Sequence, residues 1–292
     1  MLRNYLITAW RNLRRNRTAS IINLTGLSVS IAFCLLLFYH IRWEQSFDTF
    51  HTSGDRIFRC EMSDSYEEAN VGQLVFPIVS GPDLKRSFPE VEGYNRLQTG
   101  GERLITVNDN VYEEKEVVHA DDNFFRMFSF PLLKGDHRTA LSDPLNVVLS
   151  ASVAKKYFGD REPIGQTLRL ADDSTQVFRV TGVAADAPAN SSIQYSLIFP
   201  VVGADYHDRV KNAYNSQSNL LLLQLKKGVD PRAFEKKMNG WVRSYFVPYV
   251  DTLWRHNEPA SVWNNYHWRL RALADCHYVA SGWGHYTNAK VI

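Results

Sequence analysis

The side chains that most often carry out catalysis form no recognisable catalytic pattern in this 292-residue chain. The sequence has no GxxxxGK(S/T) phosphate-binding loop, no GxSxG nucleophile motif and no HExxH zinc motif. Its nine histidines are scattered, and no two of them stand four residues apart as helical metal ligands would. The sequence therefore predicts no enzymatic activity, no cofactor and no metal site.

Two pairs of adjacent carboxylates are candidates for calcium ligands or for an acid–base pair. Asp121 and Asp122 fall at a predicted helix start, and Asp172 and Asp173 fall at a predicted turn. Neighbouring carboxylates in such positions point in different directions rather than toward one ion or substrate. Cap and turn roles are therefore the favoured interpretation.

The three cysteines are Cys34, Cys60 and Cys276, and they form no CxxC pair. A zinc ribbon or a thioredoxin-like site is therefore not supported. Cys60 lies in the first strand predicted after the apolar segment, and Cys276 lies in the last predicted strand. If these strands are neighbours, an oxidising compartment would permit a Cys60–Cys276 disulfide. Two reduced, half-buried cysteines are the alternative.

Composition indicates a folded chain of about two domains. It is 45% hydrophobic and 22% charged, which is too apolar for a disordered protein. The net charge of +2 gives no support to a nucleic-acid partner. Residues 1–20 contain five arginines and no acidic residue, which leaves 28 basic and 31 acidic residues, a net charge of −3, in residues 21–292.

One stretch near the N-terminus has the length and apolarity of a membrane span. Residues 18–41 contain no Lys, Arg, Asp or Glu. As a helix, residues 21–41 measure about 31 Å, the thickness of the hydrocarbon core of a bilayer. We therefore predict a transmembrane helix at residues 21–42. A cleaved signal peptide is the alternative, but its basic region would be unusually long and no A-x-A-like site follows.

The arginines before the span predict its orientation. Arg11, Arg14, Arg15 and Arg17 form a basic anchor on the cytoplasmic side, which places everything after Trp43 outside. Apolar residues recur at helical spacing among these arginines, as in a short amphipathic helix that lies on the inner membrane surface against lipid. A basic flank without a helix is the alternative.

Small residues recur every four positions within the predicted span. Gly26, Ser30 and Cys34 therefore share one helix face, and such a face allows a second helix to approach closely in a membrane. We call these three residues the helix-packing seam. The alternative is that small residues stand at these positions by chance.

The rest of the chain predicts a mixed α+β domain, because hairpins and crossovers alternate. Residues 102–120 read as a hairpin that turns at Asp109 and Asn110. Residues 145–159 read as a buried strand followed by a helix that Ser150 or Ser152 caps and Gly159 ends. Asp230 and Pro231 begin a further helix, and residues 268–279 read as the final strand.

Several stretches together resemble the MacB/FtsX-like ABC transporter permease family. Residues 4–33 contain an Arg-Asn pair, Ser-Ile-Ile-Asn and a Gly-Leu that enters the span. Residues 43–59 contain Ser-Phe-Asp, Phe-His and Ile-Phe-Arg. Residues 124–170 are the most specific signal, and residues 178–200 extend it. The resemblance covers nearly the whole chain.

The resemblance implies a fold and a domain division. A cytoplasmic amphipathic segment at residues 1–20 and the transmembrane helix precede a periplasmic MacB-like core domain at residues 43–292. The family's core domain has two α+β lobes, which implies an inner lobe of residues 43–120 and 216–292 and an outer lobe of residues 121–215. Family members continue into three further membrane helices, and this chain ends before them, as a truncated product or a fragment would.

The resemblance also implies a function. The chain would be a permease subunit, or the N-terminal fragment of one, in the bacterial inner membrane. Its implied partners are a cytoplasmic ABC ATPase, a second copy or a second permease, and a periplasmic adaptor. ATP hydrolysis would move the periplasmic domain so that a substrate is exported or extracted. The alternative is a single-span membrane-anchored sensor or ligand-binding module outside the cytoplasm.

Overall fold

The computed structural model describes residues 2–63, 75–171, 175–202, 217–248 and 267–278. The chain divides into two compact units, Met1–Ser46 and Phe47–Ile292. The predicted turn at Asp172 and Asp173 lies outside the described residues.

Two helices, α1 (Leu2–Arg15) and α2 (Arg17–Glu44), form the first unit. Asn16 separates them with φ −106° and ψ 59°, which lies outside the helical region. α2 has 28 residues, about 42 Å of helix, and none of its side chains is buried. Among the described residues it is the one helix long and apolar enough to cross a membrane. Both helices expected near the N-terminus are thus confirmed as helices.

The second unit is built on one sheet of eleven strands. In chain order these are β1 (Ile57–Ser63), β2 (Val75–Pro77), β3 (Val91–Val107), β4 (Asn110–Ala120), β5 (Leu132–Lys134), β6 (Asn146–Ser150), β7 (Thr167–Leu170), β8 (Val177–Ala184), β9 (Leu197–Pro200), β10 (Gln217–Leu225) and β11 (His267–Ala272).

The order of strands mixes hairpins with crossovers. It runs β11-β1-β10-β3-β4-β9-β6-β8-β5, while β2 pairs with β10 and β7 pairs with both β3 and β8. The pairs β4–β9 and β6–β8 are parallel, and the other pairs are antiparallel. The predicted α+β class is therefore confirmed.

Short helices cover this sheet. They are α3 (Ser80–Ser87), α4 (Phe124–Met127), α5 (Ala151–Phe158) and α6 (Pro231–Trp241). Two 3₁₀ helices, Gly54–Arg56 and Leu273–Tyr278, and a π-helical turn, Val242–Phe246, complete the described helical elements.

Three clusters of buried apolar side chains hold these helices on the sheet. One cluster packs α3 and α6 against β1, β10 and β11 around Trp268. A second packs α5 against β6, β8 and β9 around Val147. The third is rich in aromatic rings and centres on Phe124, whose ring stacks on Phe130 at 5.5 Å.

The local signals in the sequence locate several elements correctly. The β3–β4 hairpin turns at Asn108 and Asp109, which adopt φ of 47° and 66°, one residue earlier than predicted. The Ser150 side chain accepts a hydrogen bond from the Val153 amide and so caps α5. The Asp230 side chain caps α6 in the same way, with Pro231 in the first turn.

The final strand is shorter than predicted. β11 ends at Ala272, which pairs with Phe58 near the start of β1. The chain before Ile57 is a 3₁₀ helix and offers no further strand to pair with. Residues after Ala272 therefore leave the sheet and form the 3₁₀ helix Leu273–Tyr278.

The strands of the two predicted lobes are neighbours in one sheet. β4 ends at Ala120, the last residue of the predicted inner lobe, and pairs in parallel with β9 of the predicted outer lobe. The cluster beneath α5 likewise takes Ile105 and Val117 from the predicted inner lobe. The division into lobes stays a prediction, within a unit that the sheet makes continuous.

Candidate functional site

The first residues of the second unit are anchored by buried polar side chains. We call residues 47–52 the post-helix segment, because α2 precedes them in sequence. Asp48 is 1% exposed and adopts a left-handed backbone with φ 55°. Its carboxylate Oδ1 accepts hydrogen bonds from the Ser191 hydroxyl at 3.2 Å and the Ser192 amide at 3.0 Å. Its own amide donates to the Asn190 carbonyl at 3.0 Å.

His51 provides the second anchor of this segment. The Ser129 amide donates to its Nδ1 at 3.0 Å, so this nitrogen acts as an acceptor. Phe50, Phe128 and Phe130 surround the imidazole with ring centroids 4.1 to 5.5 Å away. Its Nε2 lies 3.8 Å from Asp48 Oδ1 and has no hydrogen-bond partner among the described residues.

Burial shifts the pKa of both side chains. It raises the pKa of Asp48, and the hydrogen bonds from Ser192 and Ser191 offset only part of that effect. Burial also lowers the pKa of His51 to about 4, so the imidazole is neutral near pH 7. A neutral imidazole whose Nδ1 accepts a hydrogen bond carries its proton on Nε2, on the side of Asp48.

Two further contacts tie the post-helix segment to distant parts of the domain. The Thr52 amide donates to the Ser129 hydroxyl at 2.8 Å. The Phe47 ring stacks on His277 at 4.2 Å with an interplanar angle of 10°. The first residue of the unit and the last described helix, Leu273–Tyr278, therefore lie side by side.

Two groups of buried ion pairs lie elsewhere in the domain. The Arg96 guanidinium binds both carboxylate oxygens of Asp121 and donates to the Ile78 carbonyl at 2.9 Å. Glu61 accepts from Arg271 at 2.6 Å and from Arg59 at 2.7 Å. Burial opposes ionisation of Glu61, but these hydrogen bonds prevail and lower its pKa. Because Asp121 and Glu61 are both bound to arginine, neither group resembles an acid–base centre.

The possible Cys60–Cys276 disulfide is not formed in the structure, where both residues are free, buried thiols, as in the alternative considered from sequence. Cys60 joins the cluster beneath α6 on one face of β1. Cys276 lies near Arg59 and Glu61, whose side chains leave β1 on the opposite face. The sheet therefore separates the two sulfur atoms. Burial raises the pKa of both thiols, to about 12 for Cys276.

The remaining predicted site residues lie in the first unit. Gly26, Ser30 and Cys34 are exposed on α2, and a Cβ atom added at Gly26 would meet nothing within 4 Å. The Ser30 hydroxyl donates to the Gly26 carbonyl at 2.9 Å, so the seam satisfies its own polar group. The predicted anchor residues Arg11, Arg14, Arg15 and Arg17 are likewise exposed.

Sequence reasoning missed the part played by Asp48 and His51. Asp48 ends the Ser-Phe-Asp segment and His51 ends the Phe-His segment, and both segments carry part of the family resemblance. Their partners lie far along the chain, 78 residues away for Ser129 and 144 for Ser192. No group of three or more His, Cys, Asp or Glu side chains suited to a metal occurs among the described residues.

Comparisons with known proteins agree with this architecture. Residues 20–240 match the family model of the MacB-like periplasmic core domain. No curated protein matches the chain. The chain is similar in fold to a domain of a candidate permease protein from Porphyromonas gingivalis, at 24% identity and a TM-score of 0.59 over 76% of this chain and 92% of that one. It is also similar in fold to the periplasmic region of MacB from Actinobacillus actinomycetemcomitans, at 15% identity and a TM-score of 0.50 over 65% and 84%.

The structure thus defines a mixed α+β domain of the periplasmic MacB type, preceded in sequence by one helix long enough to cross a membrane. The chain belongs to the MacB-like periplasmic core domain family, which confirms the resemblance noted from sequence. This family is a component of ABC transporter permeases, which work with a cytoplasmic ATPase, and it is not a typical enzyme family.

Proposed function

We propose that the chain is a permease subunit, or the N-terminal part of one, of a MacB/FtsX-type ABC transporter. It couples ATP hydrolysis in the cytoplasm to motion of the periplasmic domain and so exports or extracts a substrate. The observation that carries the proposal is the anchoring of the post-helix segment. Asp48 and His51 fix the residues that follow α2 to loops inside the domain.

The covalent connection between helix and domain supports this coupling. Only Gln45 and Ser46 separate α2 from Phe47. Their amides donate to the carbonyls of Ile41 and Trp43, so helical hydrogen bonding continues to the last residue of the first unit. In the proposal, a shift of the helix reaches the domain through the residues that Asp48 anchors.

The charge pattern supports the orientation that we propose. The proposal places α2 across the bacterial inner membrane with the N-terminus in the cytoplasm, because Arg11, Arg14, Arg15 and Arg17 all precede the apolar stretch. α1 then lies against lipid at the inner surface. Arg14 stacks over the Trp10 ring at 5.9 Å, a pairing that suits the interface between headgroups and acyl chains.

The proposal places the partners of the chain on its exposed helices and on its second unit. α2 buries none of its side chains, so its seam at Gly26, Ser30 and Cys34 is open to a second copy or to a second permease. The cytoplasmic ATPase would act near α1 or on further parts of the permease. A periplasmic adaptor would bind the second unit.

Affinity capture from native membranes tests the proposal. We expect the tagged chain, extracted in detergent, to bring down a subunit with a GxxxxGK(S/T) phosphate-binding loop. In that complex, nucleotide should change the protease cleavage pattern of the periplasmic domain, and Asp48→Ala should abolish the change while the subunits stay bound. Asp122→Ala, at an exposed carboxylate, is the matched control and should behave as wild type.

Two outcomes would contradict the proposal. Recovery of a sensor kinase in place of an ATPase would favour the sensor alternative. A cleavage pattern that nucleotide leaves unchanged in the wild-type complex would remove the coupling.

A further inference from the structure

We propose that the post-helix segment is held by a latch that protonation of His51 opens. The latch consists of the His51 imidazole, the Ser129 amide and the Asp48 carboxylate. The inference concerns the regulation of this segment, and only its consequence for transport rests on the proposed function. The opening itself is measured without any transport assay.

Protonation of His51 and the hydrogen bond from Ser129 exclude each other. The neutral ring holds its proton on Nε2, because Nδ1 accepts from the Ser129 amide at 3.0 Å. A second proton has only Nδ1 to bind to. The Ser129 N–H would then point at an N–H, so this bond must break and the ring or the loop must move. The protonated ring would also be a buried cation, surrounded by Phe50, Phe128 and Phe130 and without water to solvate it.

The surroundings of His51 offer little compensation for a positive charge. Asp48 is the carboxylate that faces it, with Oδ1 3.8 Å from Nε2, too far for a hydrogen bond. This oxygen is already bound by Ser191 and Ser192. Two titratable side chains of the 3₁₀ helix Leu273–Tyr278, His277 and Cys276, interact electrostatically with Asp48. The rings of Phe128 and Phe130, on either side of Ser129, carry no charge. Ser191 and Ser192, which bind Asp48, are also uncharged.

Acid therefore favours the open latch. The pKa of His51 is lowered to about 4 in the closed form, whereas a released histidine has an ordinary value of about 6.5. Between these values the open form binds the proton and the closed form does not, so opening becomes easier as pH falls. The equilibrium constant for opening rises about 100-fold between pH 7 and pH 4. Because the pKa of Asp48 is raised, proton uptake there favours the closed form, which makes this rise an upper value.

Hydrogen exchange on the full chain in lipid nanodiscs tests the latch. We expect the amides of Ser129, Asp48 and Thr52 to lose protection steeply from pH 7 to pH 4, after correction for intrinsic exchange. Amides of β6 and β8 should keep theirs. His51→Asn places an amide oxygen where Nδ1 stands and has nothing to titrate. This variant should stay protected at pH 7 and lose the pH response. His137→Asn, at an exposed histidine, should keep the response.

A direct measurement on the wild type covers the case in which a variant fails to fold. Imidazole nitrogen shifts should report the Nε2–H tautomer of His51 and a pKa below about 5. An Nδ1–H tautomer would overturn the proposal. So would a pH response that His51→Asn retains, or a loss of protection at Ser129 only together with β6 and β8. None of these outcomes bears on whether an ATPase binds the chain, so the latch and the transporter role fail separately.

Discussion

Asp121 and Asp122 are adjacent in sequence but have opposite surroundings. Asp121 is 7% exposed and binds the Arg96 guanidinium, which is itself buried. The side chain of Asp122 is 59% exposed and lies 3.5 Å from Arg126. The sequence predicts a helix-cap position for the pair. The structure instead places Asn123 at the N-cap of α4 and binds Asp121 to a buried arginine.

Removing one partner of the buried pair should cost far more than removing one partner of the exposed pair. Asp121→Ala leaves Arg96 as an unpaired buried charge, and we expect the free energy of unfolding to fall by about 3–5 kcal/mol. Asp122→Ala, the matched control, should change it by less than about 1 kcal/mol. Urea denaturation of the full chain in detergent, followed by tryptophan fluorescence, measures both. Equal effects would mean that the Arg96–Asp121 pair is not the buried contact described here.

The roles of Asp48 and His51 show what residue patterns leave open. The sequence shows that one residue is a carboxylate and the other an imidazole. It does not show which groups they contact, and these contacts determine their roles. Ser129 and Ser192 reach these side chains only through the folding of the intervening sheet. The stretch around Asp48 and His51 is thus recognisable as a family feature before its physical purpose is known.

Helices and hairpins were predictable where a local signal specifies them. Ser150, Asp230 and the Asn108–Asp109 turn act through atoms within a few residues of one another. The three-residue strands β2 and β5 give no such signal, because so few residues show no periodicity. β11 ends where its partner strand begins, which depends on β1 rather than on its own residues.

Two serines on opposite faces of α2 allow the helix-packing seam to be tested. Ser30 lies in the seam, and Ser28 stands about 200° around the axis from it. Ser30→Leu should weaken co-purification of two differently tagged copies from membranes by severalfold, because leucine keeps the helices apart. Ser28→Leu adds the same bulk and should leave co-purification unchanged.

Equal effects of the two serine substitutions would contradict the seam. If two copies of the wild-type chain do not associate at all, the seam does not bind a second copy. A second permease would then be the partner to test.

At the scale of the whole molecule, the class of the domain was predictable and its connectivity was not. Mixed hairpins and crossovers indicate an α+β fold from sequence alone. The parallel pairs β4–β9 and β6–β8 join segments far apart in sequence, and these pairs make one sheet of the two predicted lobes. Local periodicity contains no information on such pairings.

The orientation of the chain is a property of the whole molecule and has a direct test. We expect protease added to intact spheroplasts to digest the domain after residue 47, while an N-terminal tag stays intact until lysis. The proposed function has the basic residues before the apolar stretch hold the N-terminus in the cytoplasm. A domain that is cleaved only after lysis, or a mature chain that begins after residue 40, would contradict this orientation and the retained helix.

The stacking of Phe47 on His277 brings the first residue of the second unit beside the last described helix, Leu273–Tyr278. A replacement segment whose own ends lie equally close can be grafted between these two positions without stretching the flanking chain. A hybrid that takes residues 47–277 from a relative would therefore keep the N-terminal helices of this chain. Comparing such hybrids would separate the contribution of the domain from that of the helices.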